Sequence, residues 1–159
     1  MHRWGHVGAA LLAYAPVGGT VTAAGAPGLA ALGAVVTVAA ATVPDVDEFL
    51  QLAHRGPTHT VWFIVGCTLL AGGVGAAVGP GVGRPVALPA VLGAAVGLSL
   101  TTHLLADVVT PMGVRPLYPV SPWHRSLELT PSRNPRANAA LLGAGVAAIA
   151  GSQALLWGL

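Results

Sequence analysis

Five apolar stretches, parted by short segments where proline, glycine and charge gather, set the pattern of this chain. The first run free of Arg, Lys, Asp and Glu extends from Trp4 to Pro44. It reads as two helices, about 5–24 and 28–43, separated by GAPG (25–28), the first short or kinked at PVGG (16–19). A third helix is predicted over about 58–79, GPGVGRP (79–85) breaks the chain, and a fourth follows over about 86–109. A polar segment rich in Pro and Arg (111–136) leads to a fifth at about 136–158. Spanning a bilayer takes roughly 20 apolar residues. The prediction is an all-α fold, a polytopic membrane helix bundle with four to five transmembrane helices. Gly75/Gly79 and Gly93/Gly97 have the spacing that lets membrane helices approach closely, although 22 glycines make such pairs frequent by chance.

Composition agrees with that class: 8% of residues are charged, 54% are hydrophobic and the mean hydropathy is +0.74. This excludes an ordinary soluble domain, and 159 residues make a single membrane-embedded domain, 1–159. Nucleic-acid binding has little support, because the formal charge is only +2. The start MHRW followed by VGAALLAYA imitates a signal peptide. Against that, the basic region is tiny, Pro16 follows the imitated cleavage point, and cleavage would discard His6. Cys67 lies inside the third helix, so no disulfide framework exists, and it reads as a small buried apolar residue.

With five alternating crossings, nearly every ionisable residue falls on one membrane face. Arg3, His6, Asp45, Asp47, Glu48, His54, Arg55, His59, His103 and Asp107 lie there, followed by Arg115, His124, Arg125, Glu128, Arg133 and Arg136. The other face keeps only Arg84, and six Arg against one make the crowded face cytoplasmic by the positive-inside rule. Topology alone accounts for most of these arginines, and Glu48 and His54 read as wet loop residues.

His103 and Asp107 are different. They sit one helical turn apart inside a helix otherwise made of Leu, Ala and Val, where a charge is expensive unless paired. A hydrogen bond within that helix would explain the pair alone, but three other motifs share its face. VPDVDE ends a helix with Asp45 and Asp47, HRGPTHT places His59 at the first turn of the third helix with Arg55 just before it, and His6 opens the first helix. Imidazoles and carboxylates held on facing helix ends are the donor set of a divalent transition metal.

These motifs carry a resemblance. VPDVDE, HRGPTHT and THLLADVVTPMGVRPLYP resemble, in this order, the PD-x-D, HR-x-x-TH and H-x-x-x-D-x-x-T-x-x-G-x-x-x-x-x-P elements of the membrane-bound metal-dependent hydrolases, which include the LexA-regulated inner-membrane hydrolases of bacteria. The resemblance covers residues 1 to about 120. The order also resembles the soluble zinc-dependent phospholipase C and single-strand nuclease group. That comparison implies His6, Asp45, His59, His103 and Asp107 as ligands of zinc, with His124 and Glu128 of WHRSLE in the place of a later H-x-x-x-E pair. This chain lacks a further His shortly after Asp107, which leaves the number of metals open.

The expected chemistry is hydrolysis of a phosphate ester by metal-activated water. Asp47, or whichever of Asp45 and Asp47 does not bind metal, would act as general base, and Arg55, or Arg115, would hold a phosphate oxygen. Position beside the bilayer suggests a phospholipid or another phosphorylated lipid as substrate. Two other classes fit parts of the pattern: a transporter or proton relay, which would spread its ionisable groups through the bilayer, and a membrane protein with a purely structural metal.

Overall fold

The computed structural model describes residues 1–50 and 54–157, and the described residues form six helices and no strand. They are α1 (Arg3–Ala23), α2 (Pro27–Ala40), α3 (Val46–Phe49), α4 (Val61–Val78), α5 (Ala87–Val108) and α6 (Pro135–Trp157). The expected helix limit at Gly158 lies outside the described residues.

Sequence punctuation explains most boundaries. Proline disfavours the helical region for the residue before it, and α2 ends at Ala40, short of the expected 43, ahead of Val43-Pro44. Thr60 adopts extended backbone and its Oγ1 accepts the Phe63 N–H at 3.3 Å. This cap starts α4 at Val61 and leaves His59 on a 3-10 turn, Pro57–His59, just outside the helix. Of the two outcomes expected at PVGG, a short helix does not occur, since α1 continues through Pro16 for 21 residues. Pro16 deprives only the Leu12 carbonyl of its partner, and Gly18 lies beneath the Tyr14 ring.

Three helical stretches are long and apolar enough to cross a membrane: Val61–Val82, Ala87–Val108 and Pro135–Ala154. α1 has comparable length, whereas the 14 residues of α2 rise only about 21 Å, less than the roughly 30 Å hydrocarbon core. In α4 only Gly75 is buried, while Trp62, Val65, Leu69, Leu70 and Val74 are exposed. Such a face would be an adhesive patch in water and is ordinary against lipid.

α1 packs along α6 and α4 along α5, with α2 wedged between α1 and α5. Backbone meets backbone at two points where α1 packs on α6. A Cβ on Gly8 would lie 2.3 Å from the Leu141 carbonyl carbon, and one on Gly145 would lie 2.3 Å from the Gly8 carbonyl oxygen. Of the expected glycine pairs, Gly75 lets α4 touch the backbone at Pro89, while Gly93 and Gly97 face α4 near Thr68. Two buried hydroxyls tie helices together through carbonyls: Tyr14 donates to Ala30 at 3.1 Å and Ser99 to Thr37 at 2.8 Å.

The segment between α5 and α6 folds back over the end of α5. Leu127 N–H donates to the Val108 carbonyl at 2.7 Å, and Val114 pairs with Arg125 in an isolated antiparallel bridge. The same segment reaches the start of α4, where Val61 N–H donates to the Pro116 carbonyl at 2.9 Å.

Candidate metal centre

α5 presents His103 and Asp107 from its last two turns, both buried, and the neighbouring elements bring their polar residues to the same point. The His59 and His103 Nε2 atoms are 3.2 Å apart. Asp107 Oδ2 lies 3.4 Å from His59 Nε2 and 3.6 Å from His103 Nε2, and Asp45 Oδ1 lies 3.7 Å and 3.4 Å from the same two atoms. Atoms bound at 2.0–2.2 Å around a tetrahedral cation stand about 3.3 Å from one another. The three buried donors His59 Nε2, His103 Nε2 and Asp107 Oδ2, 3.2–3.6 Å apart, match that figure.

The hydrogen-bond network assigns the proton on each ring. His103 Nδ1 is 2.7 Å from the Ala41 carbonyl, which only accepts, so Nδ1 carries the hydrogen and Nε2 a lone pair. His59 Nδ1 faces Thr58 Oγ1 at 3.0 Å and Asp47 Oδ2 at 3.3 Å, while the Thr58 hydroxyl donates to Asp47 Oδ2 at 3.2 Å. His59 Nδ1 is therefore the donor, which turns its Nε2 toward the cluster. With both rings neutral, the two Nε2 lone pairs face each other and the carboxylate oxygens, and either a metal ion among them or a second proton on a ring relieves the repulsion.

Burial alone would raise the Asp45 carboxyl, but hydrogen bonding to His103 and His59 outweighs it and holds Asp45 well below the usual carboxylate range. Burial alone would lower the His59 imidazole, yet hydrogen bonds to Asp107 and Asp45 outweigh it and raise His59 above its ordinary value.

His6 stands one step outside the four. Its ring stacks on that of His103 with centroids 3.7 Å apart, Nε2 is 2.9 Å from the Met1 carbonyl and 3.5 Å from Asp107 Oδ1, and Nδ1 is buried without a partner. His6, Asp45 and His103 form a second overlapping group of potential ligands.

Asp47 lies behind His59 and is fully buried. It accepts from Arg55 N–H at 2.8 Å and pairs with His54 Nδ1 at 3.1 Å, in addition to its contacts with Thr58 and His59. Arg55, held at a φ of +57°, extends its guanidinium to Asp107 Oδ1 at 2.9 Å, Thr110 Oγ1 at 2.9 Å and the Gly113 carbonyl at 3.0 Å. The Met1 amine also donates to Asp107 Oδ1, so this oxygen faces two cations while Oδ2 faces the two imidazoles.

His124 and Glu128 do not join this group. They lie on the non-helical segment after α5, where a four-residue spacing does not align side chains, and both are exposed. His124 Nε2 pairs instead with the Met112 carbonyl at 2.9 Å. Arg115 lines a small side pocket of about 180 Å³ with His54, Arg55 and His124.

Several contributors were not singled out from the sequence. Thr58 and Thr110 are buried within the matched motifs, and Gly113 has a φ of +60°, with the position of a Cβ taken by the Arg125 carbonyl. Arg3 and Arg133 line a cavity of about 850 Å³ that also exposes Asp45, Arg55 and His54. Their placement depends on the α1 and α6 termini meeting, which no local pattern encodes.

Helices apolar enough to cross a bilayer, closed at one end by buried imidazoles and carboxylates, define a polytopic helical membrane protein with a polar centre at one end. The chain matches the family model described as YdjM inner membrane protein over residues 1–159 and belongs to that family. No curated protein and no solved structure matches it.

Proposed function

We propose that this inner-membrane protein is a metal-dependent hydrolase that cleaves a phosphate ester of a lipid or of another substrate held at the membrane surface. The observation that carries the reading is the convergence of the buried His59 Nε2, His103 Nε2 and Asp107 Oδ2 at 3.2–3.6 Å from one another, with Asp45 Oδ1 3.4–3.7 Å from the two imidazoles. In this reading His59, His103 and Asp107 hold a divalent cation, for which zinc fits the mixed imidazole and carboxylate donors. Such an ion supplies Lewis acidity and activates water near neutral pH.

The remaining roles follow from what each residue touches. Asp45 is the only one of the four that lines the cavity, and it is placed to act as general base. The water oxygen bonds to phosphorus, its proton passes to Asp45, the ester P–O bond breaks, and the departing alkoxide takes the proton from Asp45. Asp47 orients His59 in the manner of carboxylates behind metal-bound imidazoles. Arg55 fixes Asp107, while Arg3 and Arg133 line the mouth, placed to meet a phosphate. The arginine imbalance supports a cytoplasmic placement of this end.

A purely structural metal would favour a closed shell, whereas here a cavity opens on the cluster. A proton relay would continue into the opposite half, whose described helices carry no Asp, Glu, His, Lys or Arg. The test is metal analysis of protein purified without chelator, together with hydrolysis of p-nitrophenyl phosphate and bis-p-nitrophenyl phosphate. Near-stoichiometric zinc or manganese and chelator-sensitive turnover are expected. A preparation that never retains a divalent ion overturns the reading.

A further inference from the structure

We infer that the substrate has an alkyl chain and that the chain lies in a groove between α1, α5 and α6, so that it enters sideways from the bilayer. The inference rests on the hydrolase reading for its reaction but not for its binding site. An apolar groove of about 540 Å³ is walled by Ala9, Leu12 and Ala13 of α1, Leu105 and Ala106 of α5, and Leu141 of α6. It adjoins the polar cavity directly. Met1 lines both, Val109 of the groove is followed by Thr110 of the cavity, and Thr130 of the groove by Pro131 of the cavity.

The two compartments divide the chemistry of an amphiphile. The cavity offers Arg3, Arg133 and the Asp45 end of the cluster to an anionic head, and the groove offers only methyl and methylene surface apart from its threonines. Each volume falls in the range of roughly 300–1,000 Å³ usual for small-molecule sites. Small side chains make the groove: Ala9, Ala13, Ala106 and Ala137 would each fill part of it if enlarged. A soluble phosphate ester would use the cavity and leave the groove to bulk lipid. A lipid phosphate uses both, and hydrophobic burial of the chain adds to the attraction of the head.

Full-length protein in phosphatidylcholine nanodiscs provides the test, with dodecyl phosphate and butyl phosphate as competing probes and a dodecyl phosphate bearing a terminal diazirine as photolabel. Dodecyl phosphate should displace a bound fluorescent alkyl phosphate at least about tenfold more effectively than butyl phosphate. The photolabel should map to α1, α5 and α6. Ala13→Phe and Ala137→Phe should each remove the chain-length preference in protein that still inserts and retains its zinc. Equal affinity for the two chain lengths, or labelling confined to α4, overturns the inference. Chain-selective binding and labelling in a protein that hydrolyses nothing would support the groove and sink the hydrolase reading, and turnover without chain selectivity would do the opposite.

Discussion

His59 and His103 bring their Nε2 atoms to 3.2 Å while each ring spends its other nitrogen on an oxygen behind it. Two lone pairs aimed at each other are tolerated when a cation occupies the space between their axes. His103→Ala and Asp107→Asn should each lower bound zinc at least tenfold, in line with losses caused even by changes behind a ligand, and abolish turnover. Membrane insertion and helix content should persist, since α5 stays apolar. Poor folding in both variants, with no metal in the native protein, would favour a simple structural pair.

The two carboxylates of VPDVDE should separate experimentally. Asp45→Asn is expected to retain zinc and lose kcat, because Asp45 faces the cavity. Asp47→Asn should weaken zinc binding about 10–100-fold, with activity partly restored by excess metal, because Asp47 sits behind His59 and does not line the cavity. Full zinc retention in Asp47→Asn with activity lost at every pH would instead make Asp47 the base.

Metal and proton compete for the same imidazoles, so zinc retention should fall as pH drops. The chelator-treated protein should show the opposite trend. The folded-state pKa of His59 is raised, so its stabilising contribution is complete below about pH 6.5 and disappears as pH rises through that raised value. Thermal unfolding of the two forms between about pH 6 and pH 9 checks the crossing; parallel curves would contradict it.

Orientation can be read by labelling. Single cysteines placed at Arg115 and at Arg84, in a Cys67→Ser background, should react from opposite sides of the membrane, with the Arg115 side cytoplasmic. Reaction of both from one side would remove the argument for a polar end.

Gly8→Val or Gly145→Val should destabilise the protein by about 1–3 kcal/mol or more, since each new side chain meets backbone that no rotamer change can clear. A lowered thermal midpoint in detergent is the expected readout. Gly28→Ala, where a Cβ meets nothing within 4 Å, is the control and should be neutral.

The helices were legible because bilayer-length apolar runs and proline-glycine breaks act locally. His103 and Asp107 were legible because ionisable groups in an apolar helix demand a partner. His59 was recognised, but its placement outside α4 depends on the Thr60 cap, which the apolar pattern did not reveal. The sequence left the base open between Asp45 and Asp47. Only three-dimensional placement shows one facing the cavity and the other turned to His54, Thr58 and His59. His124 and Glu128 entered only through the resemblance to a later H-x-x-x-E pair, and the chain there is not helical, so the spacing does not bring the two side chains to the cluster.

Gly8 lies two residues beyond His6, nearly opposite it on α1, so the helix leans its backbone on α6 with one face and offers an imidazole to His103 with the other. During synthesis, every donor of the cluster has left the ribosome before α6 emerges, yet the helix against which α1 rests has not. The centre therefore matures late: a nascent chain already inserted through α5 lacks the backstop that sets the depth of His6. If the cluster holds a metal as proposed, assembly of the bundle, rather than emergence of the donor residues, sets when it can do so.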